Sequence, residues 1–573
     1  MFSAQNYTHK LLNLIFNHYI LSAFLLTALV SLVQCGMFYL QYGELFYVST
    51  DSYTRALRIL DWLNDFQWRE KMFPYFNPPS GFVLHFTRIC DVIWLILAAP
   101  FMPFMPLKEA IFYGGMFFSP LFMTLTVITV LWGIKPYLPP LKNQNICFLL
   151  FTLIVIFILI KLTGAFDFSR PDHHALMDWI MAIGIAVILR NHLCVNMQHL
   201  FWCGLLCGVG MWASSALEGL FIVAIMLSVL AVNRIFYQHD GRELLYFSLG
   251  LFLSTTIAWL LNPPYQGHAM LDINRLSVIH STLTALIFLS FLVLKYLKTN
   301  RKSVLIAAFG FAAIVSGFFM LLIFGCENIL VPIYNQTVFE VFILRVDEMQ
   351  HQPLLGYEIP AFIIGFGSML WLLFLSKLRQ SYIINLLLFF IPIFVMALLC
   401  RRFFTYYLVI FVIVYGLTLF ILLYKAQQND AYKWKSLLYI VALIFYLGSF
   451  SYKPIRHTIP QIYNTVLTDL FRAPELVYYL DIDAVGAPYH TNIEGISDNH
   501  TMWFTTDENE LKTLLKKHNV QTIYLPKIAS SAYYVEPSKN TDKLYGKVIC
   551  NQKLYPWLIK QAENLYYIDY TNF

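Results

Sequence analysis

Residues 169–190 read SRPDHHALMDWIMAIGIAVILR. A polar knot, Ser169-Arg170-Pro171-Asp172-His173-His174, runs straight into an apolar stretch, 174–190, long enough to cross a bilayer core as a helix. Another apolar stretch, 146–163, stands just before the knot. The two read as membrane spans joined by a short charged connection. The same alternation of long apolar run and short polar link fills most of the chain, so the fold class is a multi-span α-helical membrane protein.

Composition agrees. Of the 573 residues, 58% are apolar and only 13% charged, with a mean hydropathy of +0.61. Apolar runs of spanning length are expected at about 15–40, 110–133, 146–163, 174–190, 198–213, 216–232, 243–261, 277–296, 303–324, 360–376, 381–399, 403–424 and 436–451, about thirteen in all. The stretch from Val92 to Pro106 is short and broken by Pro100, Pro103 and Pro106, so it reads as an interfacial or re-entrant segment. The first run, about Ile15 to Leu40, exceeds a signal-peptide core and no small-residue cleavage pattern follows it, so it is expected to stay as an anchor.

Charge sets the orientation. With the N-terminus inside, the inner loops hold Lys135, Lys142, Arg234, Arg242, the Lys295–Lys302 cluster, Lys377, Arg379, Lys425, Lys433 and Lys435. The outer links hold only a few arginines, which is the positive-inside pattern. Counting 92–106 as a span would invert everything after it. The formal net charge of +6 is small and spread over loops, so no nucleic-acid partner is read from it.

Residues 1–454 thus form the membrane domain, with a long first external loop at 41–109. From 455 to 573 the chain turns polar, with an alternating run at Val520–Leu525 and an amphipathic helix near Glu508–Lys517, so a small external α/β domain is expected. Eight of the nine cysteines lie in or beside apolar segments, which leaves no disulfide framework for that domain. Cys203 and Cys207 share a helix face, open to metal binding or to plain apolar packing.

Every polar cluster with chemical potential then falls on the outer side. The first loop carries Asp51, Arg55, Arg58, His85 and Arg88; the second carries the Asp172-His173-His174 knot; the next carries Asp272 and Arg275; a later one carries Asp347 and Glu348. Carboxylates and imidazoles at one membrane face are costly unless paired or bound to a cation. Asp172 and His174, with Asp51 and His85, offer the oxygen and nitrogen ligands of a divalent metal. Proline and a carboxylate at a helix start are equally an ordinary N-terminal cap. Arg401 and Arg402 open an outside-to-inside helix, where they either snorkel to headgroups or face a lipid-linked phosphate. Glu218 sits at an outer helix turn, either facing a cavity or serving as a simple helix-start acid.

At these residues the sequence resembles the catalytic subunits of oligosaccharyltransferases, especially the archaeal single-subunit type, which have the GT-C architecture. Thr50-Asp51-Ser52 is similar to the acidic motif of that family's first outer loop, Asp172-His173-His174 to that of its second, and Arg345-Val346-Asp347-Glu348 with Gln352-Pro353 to its fifth-loop motif. A bacterial branch of the superfamily is also similar, through His85-Phe86-Thr87-Arg88 and Tyr489-His490-Thr491-Asn492. The resemblance implies that Asp51, Asp172 and His174 hold a divalent metal (Mg or Mn), with His85 as a further ligand and His173, Arg88 and Arg275 in support. It implies that Glu348 helps hold the acceptor near that metal and that Arg401 or Arg402 binds the donor diphosphate. One departure stands out: the Trp-Trp-Asp-type motif with which the family reads its peptide acceptor is missing between Phe450 and Phe573.

The expected activity is transfer of a sugar or oligosaccharide from a polyprenyl-(di)phosphate to a protein, lipid or glycan acceptor, at a bacterial inner membrane with the C-terminal domain in the periplasm. The alternatives are a transporter or flippase of lipid-linked sugars, and an O-glycan ligase or polymerase using the same donor. A transporter should carry its charges near the bilayer midplane in two related halves. Here the acidic residues sit in the links and no half resembles the other.

Overall fold

The structure is a computed structural model. It describes residues 19–296, 306, 310, 358–375, 380–448 and 459–573, apart from short stretches at 70, 140–143, 164, 194, 215, 238–240, 273–274, 527–541 and 550–553. Apart from Ile306 and Gly310, the span expected at 303–324 lies outside the described residues, as does the Arg345–Pro353 motif, Glu348 included.

The chain enters through α1 (Tyr19–Tyr42). The long first loop then forms two amphipathic helices, α2 (Thr50–Asp65) and α3 (Arg88–Ala98). Turns at the prolines after Ala98 lead to α4 (Leu107–Met116), which breaks at Phe117 before α5 (Phe118–Ile134). Pro120 explains the restart, because a proline without an N–H is tolerated in a first turn and not in a helix interior. The following helices are α6 (Gln144–Thr163), α7 (His173–Asn191), α8 (Met197–Ala213), α9 (Ala216–Tyr237), α10 (Arg242–Leu261) and α11 (Val278–Tyr296). After the undescribed segment come α12 (Ile359–Leu375), α13 (Gln380–Leu399), a 3₁₀ turn at Arg401–Phe403, α14 (Phe404–Gln428) and α15 (Ala431–Gly448).

Eight helical segments among the described residues are long and apolar enough to cross a membrane, and two shorter apolar ones accompany them. The chain is an integral membrane protein. Two features organise the bundle. α14 runs through its middle, buried at every position from Tyr406 to Leu422, so it is apolar all round rather than amphipathic. α8 and α10 meet backbone to backbone: a Cβ on Gly204 would strike the Phe247 carbonyl, and one on Gly250 the Phe201 carbonyl. Small residues at a helix crossing supply this close packing in lipid, where no hydrophobic drive holds helices together.

The C-terminal region is a five-stranded sheet, β1 (Val466–Leu467), β2 (Ala484–Val485), β3 (Thr522–Tyr524), β4 (Leu558–Ala562) and β5 (Leu565–Ile568), in the order β2-β1-β3-β5-β4. The first three are parallel, and β5 pairs antiparallel with β3 and β4. Four helices join them: α16 (Ala473–Leu480), α17 (Ile493–Phe504), α18 (Glu508–Lys517) and α19 (Leu544–Ile549). α18 carries Asp507 as N-cap, acids in its first turn and lysines in its last, as a helix dipole favours. This region seats on the first loop. The Gly486 N–H and Asn492 Nδ2 both donate to the Phe76 carbonyl (2.9 and 3.1 Å), and His518 Nδ1 lies 2.6 Å from the Pro78 carbonyl.

Candidate active site

α7 begins at the polar knot. Asp172 is extended (φ −143°, ψ 154°) and caps the helix, its Oδ1 accepting the His173 N–H at 2.6 Å. The cap fixes the carboxylate at the helix mouth, and the first turn places His173 and His174 beside it. All three side chains are buried, and one ligand atom from each lies within 4.8 Å of the others. No other group of three such side chains is this close among the described residues.

The second oxygen of Asp172 is what marks the site as built for something more. Oδ2 is buried and accepts no hydrogen bond; it faces His174 Nε2 at 3.6 Å and Arg170 Nη2 at 3.9 Å. Two ligands on one ion, at bonds of about 2.0–2.2 Å, stand roughly 3.0–3.6 Å apart. The Asp172–His174 spacing therefore fits a shared divalent ion. Burial alone would raise the Asp172 carboxyl, but His173, His174 and Arg170 outweigh it and hold the group well below the usual carboxylate range. It is ionised at neutral pH.

Other elements close round this cluster. His173 Nδ1 lies 2.5 Å from Asp172 Oδ1, which assigns the ring proton to Nδ1 and leaves Nε2 as an acceptor. Arg402 Nη2 reaches that Nε2 at 3.5 Å. Arg402 Nε donates to Glu218 Oε1, Ser214 Oγ donates to Glu218 Oε2, and that oxygen lies 4.0 Å from His173 Nε2. Glu218 in the first turn of α9, Arg402 at the head of α14 and His173 at the head of α7 thus form one continuous network. Arg401 Nε pairs with buried Glu358 at 3.1 Å. Both arginines expected to face phosphate are held by carboxylates.

From the first loop, Arg55 lies with Nη2 3.4 Å from His173 Nδ1 and its guanidinium 4.0 Å over the Phe86 ring. Burial works against its charge, while Cys90, Asp91, Asp172 and Asp51 sustain it. Arg55 therefore stands in the field of both Asp172 and Asp51. Asp51 itself, half-buried in the first turn of α2, is outside the tight trio and lies by the Tyr489 hydroxyl, which bonds Thr54 Oγ1 at 2.7 Å. His85 is likewise outside the trio. Its ring packs on His490, centroids 4.5 Å apart, and its buried Nδ1 has no hydrogen-bond partner. Burial drives His85 well below the usual imidazole range, with His490, His173, Arg55 and Arg275 acting the same way. Burial and Arg402 push His490 down to about 4, so both rings are neutral at pH 7.

Arg88 is tied into the scaffold, with Nη1 3.4 Å from Asp91 and its other nitrogens donating to the Trp68 and Gln67 carbonyls. Arg275 Nη2 donates to the Phe86 carbonyl at 3.2 Å. Two residues matter more than the sequence reading gave them. Glu218, equally readable there as a helix-start acid, is the partner of Arg402. Asp91 is fully buried and faces Arg55, Arg58 and Arg88 at 3.7, 3.2 and 3.4 Å. A carboxylate inside an apolar span, as Glu218 is, was the available signal. For Asp91 only its company in the loop, four arginines within forty positions, pointed to it.

No protein-family model and no curated protein sequence matches the chain. Solved structures do. An archaeal oligosaccharyltransferase, AglB from Archaeoglobus fulgidus, in complex with an inhibitory peptide and a dolichol-phosphate, superposes with a TM-score of 0.63 at 14% identity, over 89% of this chain and 69% of that one. The apo form of the Archaeoglobus fulgidus oligosaccharyltransferase gives 0.64 at 14% identity over 88% and 69%. Its complex with Zn and sulfate gives 0.55 at 12% over 83% and 63%. The chain therefore has a fold similar to that of the archaeal oligosaccharyltransferase.

Proposed function

We propose that this chain is a membrane glycosyltransferase that moves a sugar or oligosaccharide from a polyprenyl-(di)phosphate to an acceptor at the end of the bundle carrying the C-terminal region. The observation that carries the reading is the buried Asp172–His173–His174 cluster joined to the Arg402–Glu218 pair, in a fold whose solved neighbour was captured with a dolichol-phosphate and a peptide. Acidic ligands beside a guanidinium, at the mouth of an apolar bundle, suit a phosphate whose tail lies in lipid.

In the proposed step the acceptor oxygen or nitrogen bonds the anomeric carbon as that carbon's bond to the phosphate oxygen breaks. The bond pair leaves with the phosphate, and the acceptor's proton passes to a carboxylate or to the departing phosphate. Arg402 exchanges Glu218 for a phosphate oxygen and so stabilises the charge that develops on the leaving group. Arg401 can make the same exchange from Glu358. Asp51, beside Tyr489, orients the acceptor or takes its proton. Glu348, from the fifth-loop motif, holds the acceptor group.

Asp172 and His174, with His173 next to them, would hold the divalent ion, and Asp51 and His85 of the first loop, which stand outside that trio, are the further ligands that the sequence resemblance implies. When bound, such an ion supplies Lewis acidity to the phosphate. We place the chain in a bacterial inner membrane, and its charge pattern supports an N-terminus in the cytoplasm.

The test is direct. In membranes supplied with a polyprenyl-linked sugar, Asp172→Ala should insert normally and transfer no sugar, and chelation with EDTA should stop the wild type. Unchanged transfer in Asp172→Ala would remove the proposed site.

A further inference from the structure

A cavity of mixed polar and apolar lining lies next to the cluster, between the first loop, the α10–α11 link and the start of α17. It encloses about 360 Å³ and is lined by Asn77, Phe82, Tyr265, Asp272, Arg275 and Glu494 among others. That volume falls in the range of about 300–1,000 Å³ typical of small-molecule sites. The cavity's wall is also the wall of the cluster. Arg275 donates to the Phe86 carbonyl, Phe86 packs 6.4 Å from the His173 ring, and Phe82 stacks on Tyr489, which lies beside Asp51.

From this lining we infer that the cavity binds a neutral carbohydrate, the acceptor of the transfer; its role as acceptor rests on the transferase reading above. Sugar hydroxyls both donate and accept, so they need a mixed set of partners. The cavity offers guanidinium and amide donors beside carboxylate and amide acceptors. Two polar residues are built into the wall itself. Asn77 is buried, its Nδ2 donates to Gly81 and Glu494, and its Oδ1 has no hydrogen-bond partner; the buried Thr491 Oγ1 has none either. The rings of Phe82 and Tyr265, with the Met72 and Met270 side chains, supply the apolar surface that the CH face of a pyranose covers.

Charge argues against an anionic ligand. Arg275 is set against Asp272 and Glu494, and Glu494 is already paired with Lys517 at 2.6 Å, so no cationic surplus is left for a phosphate or another anion. No sheet edge lines the cavity to receive an extended peptide by strand addition. This fits the missing Trp-Trp-Asp-type motif. In the transfer, a hydroxyl oxygen of the bound sugar bonds the anomeric carbon of the donor, the bond pair to the phosphate leaves with it, and the hydroxyl proton ends on that phosphate.

The experiment is saturation-transfer NMR on the purified full chain without donor, using maltotriose, cellotriose and N-acetylchitotriose, with an Asn-Ala-Thr peptide as comparison. At least one trisaccharide should take up saturation. The signal should fall at least tenfold in Tyr265→Ala, which removes an exposed ring, and in Met270→Trp, which fills the space from a half-buried position. It should persist in Asp172→Ala, so that loss of transfer and loss of acceptor binding are read separately. No saturation of any sugar, saturation in both cavity variants equal to that of the wild type, or saturation of the peptide instead would overturn the assignment.

Discussion

Glu218→Gln tests whether Arg402 serves the donor or merely the fold. In the resting protein Glu218 is buried, one oxygen taking the Arg402 Nε–H and the other the Ser214 hydroxyl. Glutamine keeps the shape and both contacts: its oxygen still accepts from Arg402, and its amide nitrogen can donate to the serine. Only the charge goes. A hydrogen bond to a charged group contributes about 1.5–3 kcal/mol against roughly 0.5–1.5 for a neutral one, so the grip on Arg402 weakens by about 1–1.5 kcal/mol. At 1.4 kcal/mol per tenfold, that is about five- to tenfold. If Arg402 must leave Glu218 to bind phosphate, the donor KM of Glu218→Gln should fall by about that factor, and removal of a neighbouring negative charge acts in the same direction. Arg402→Met should lower kcat by about 10²–10³, as loss of a charge-stabilising donor does. The assay is initial-rate transfer in proteoliposomes with varied polyprenyl-linked donor. A donor KM in Glu218→Gln that rises, or that stays within twofold of the wild type, refutes the exchange.

Asp91→Asn should be harsher on folding than on chemistry. It leaves Arg55, Arg58 and Arg88 buried without their shared counter-charge, a loss of about 3–5 kcal/mol for a broken buried pair, read as a lower melting temperature or lost monodisperse protein. Gly204→Ala should cost about 1–3 kcal/mol of stability through overpacking at the α8–α10 crossing, whereas the same change at Gly36, with open space around it, should leave melting unchanged. In the C-terminal region, burial would raise the Asp498 carboxyl, but bonds from His518 and Lys517 hold it below its usual range. A depressed carboxylate stabilises above its unfolded pKa of about 3.9 and loses that contribution as pH falls through the lower folded value. The melting difference between wild type and Asp498→Asn should therefore be full at pH 7 and begin to shrink only as pH falls below about 4.

Much of the fold was legible because lipid leaves the chain few choices. The run 403–424 has no charge over the length of a span and 174–190 carries only Asp178 and the terminal Arg190, and they emerge as α14 and α7. The two-helix character of 107–134 was not legible, since Pro120 restarts a helix inside an apolar run that composition reads as one. In the site, the Asp172 knot was readable from two histidines after a capping acid. The pairings were not. Arg402 finds Glu218 across 184 positions, and nothing in either local sequence names the other. The three arginines around Asp91 were visible as a basic loop, but only packing makes them one buried node. Asp51 and His85 illustrate the limit differently: their sequence motifs were plain, while their place beside Tyr489 and His490 depends on how the C-terminal region seats on the first loop.

The claim beneath all of this is that a carbon–oxygen bond to a polyprenyl phosphate is broken here. The most direct measurement is the fate of the lipid in proteoliposomes holding the purified chain, a polyprenyl-linked sugar and an acceptor. Free polyprenyl phosphate or diphosphate should accumulate in step with sugar joined to acceptor, and not with Asp172→Ala. If the lipid-linked sugar instead changes leaflet intact, with no free polyprenyl phosphate formed, the chain is a transporter and the proposed chemistry is wrong.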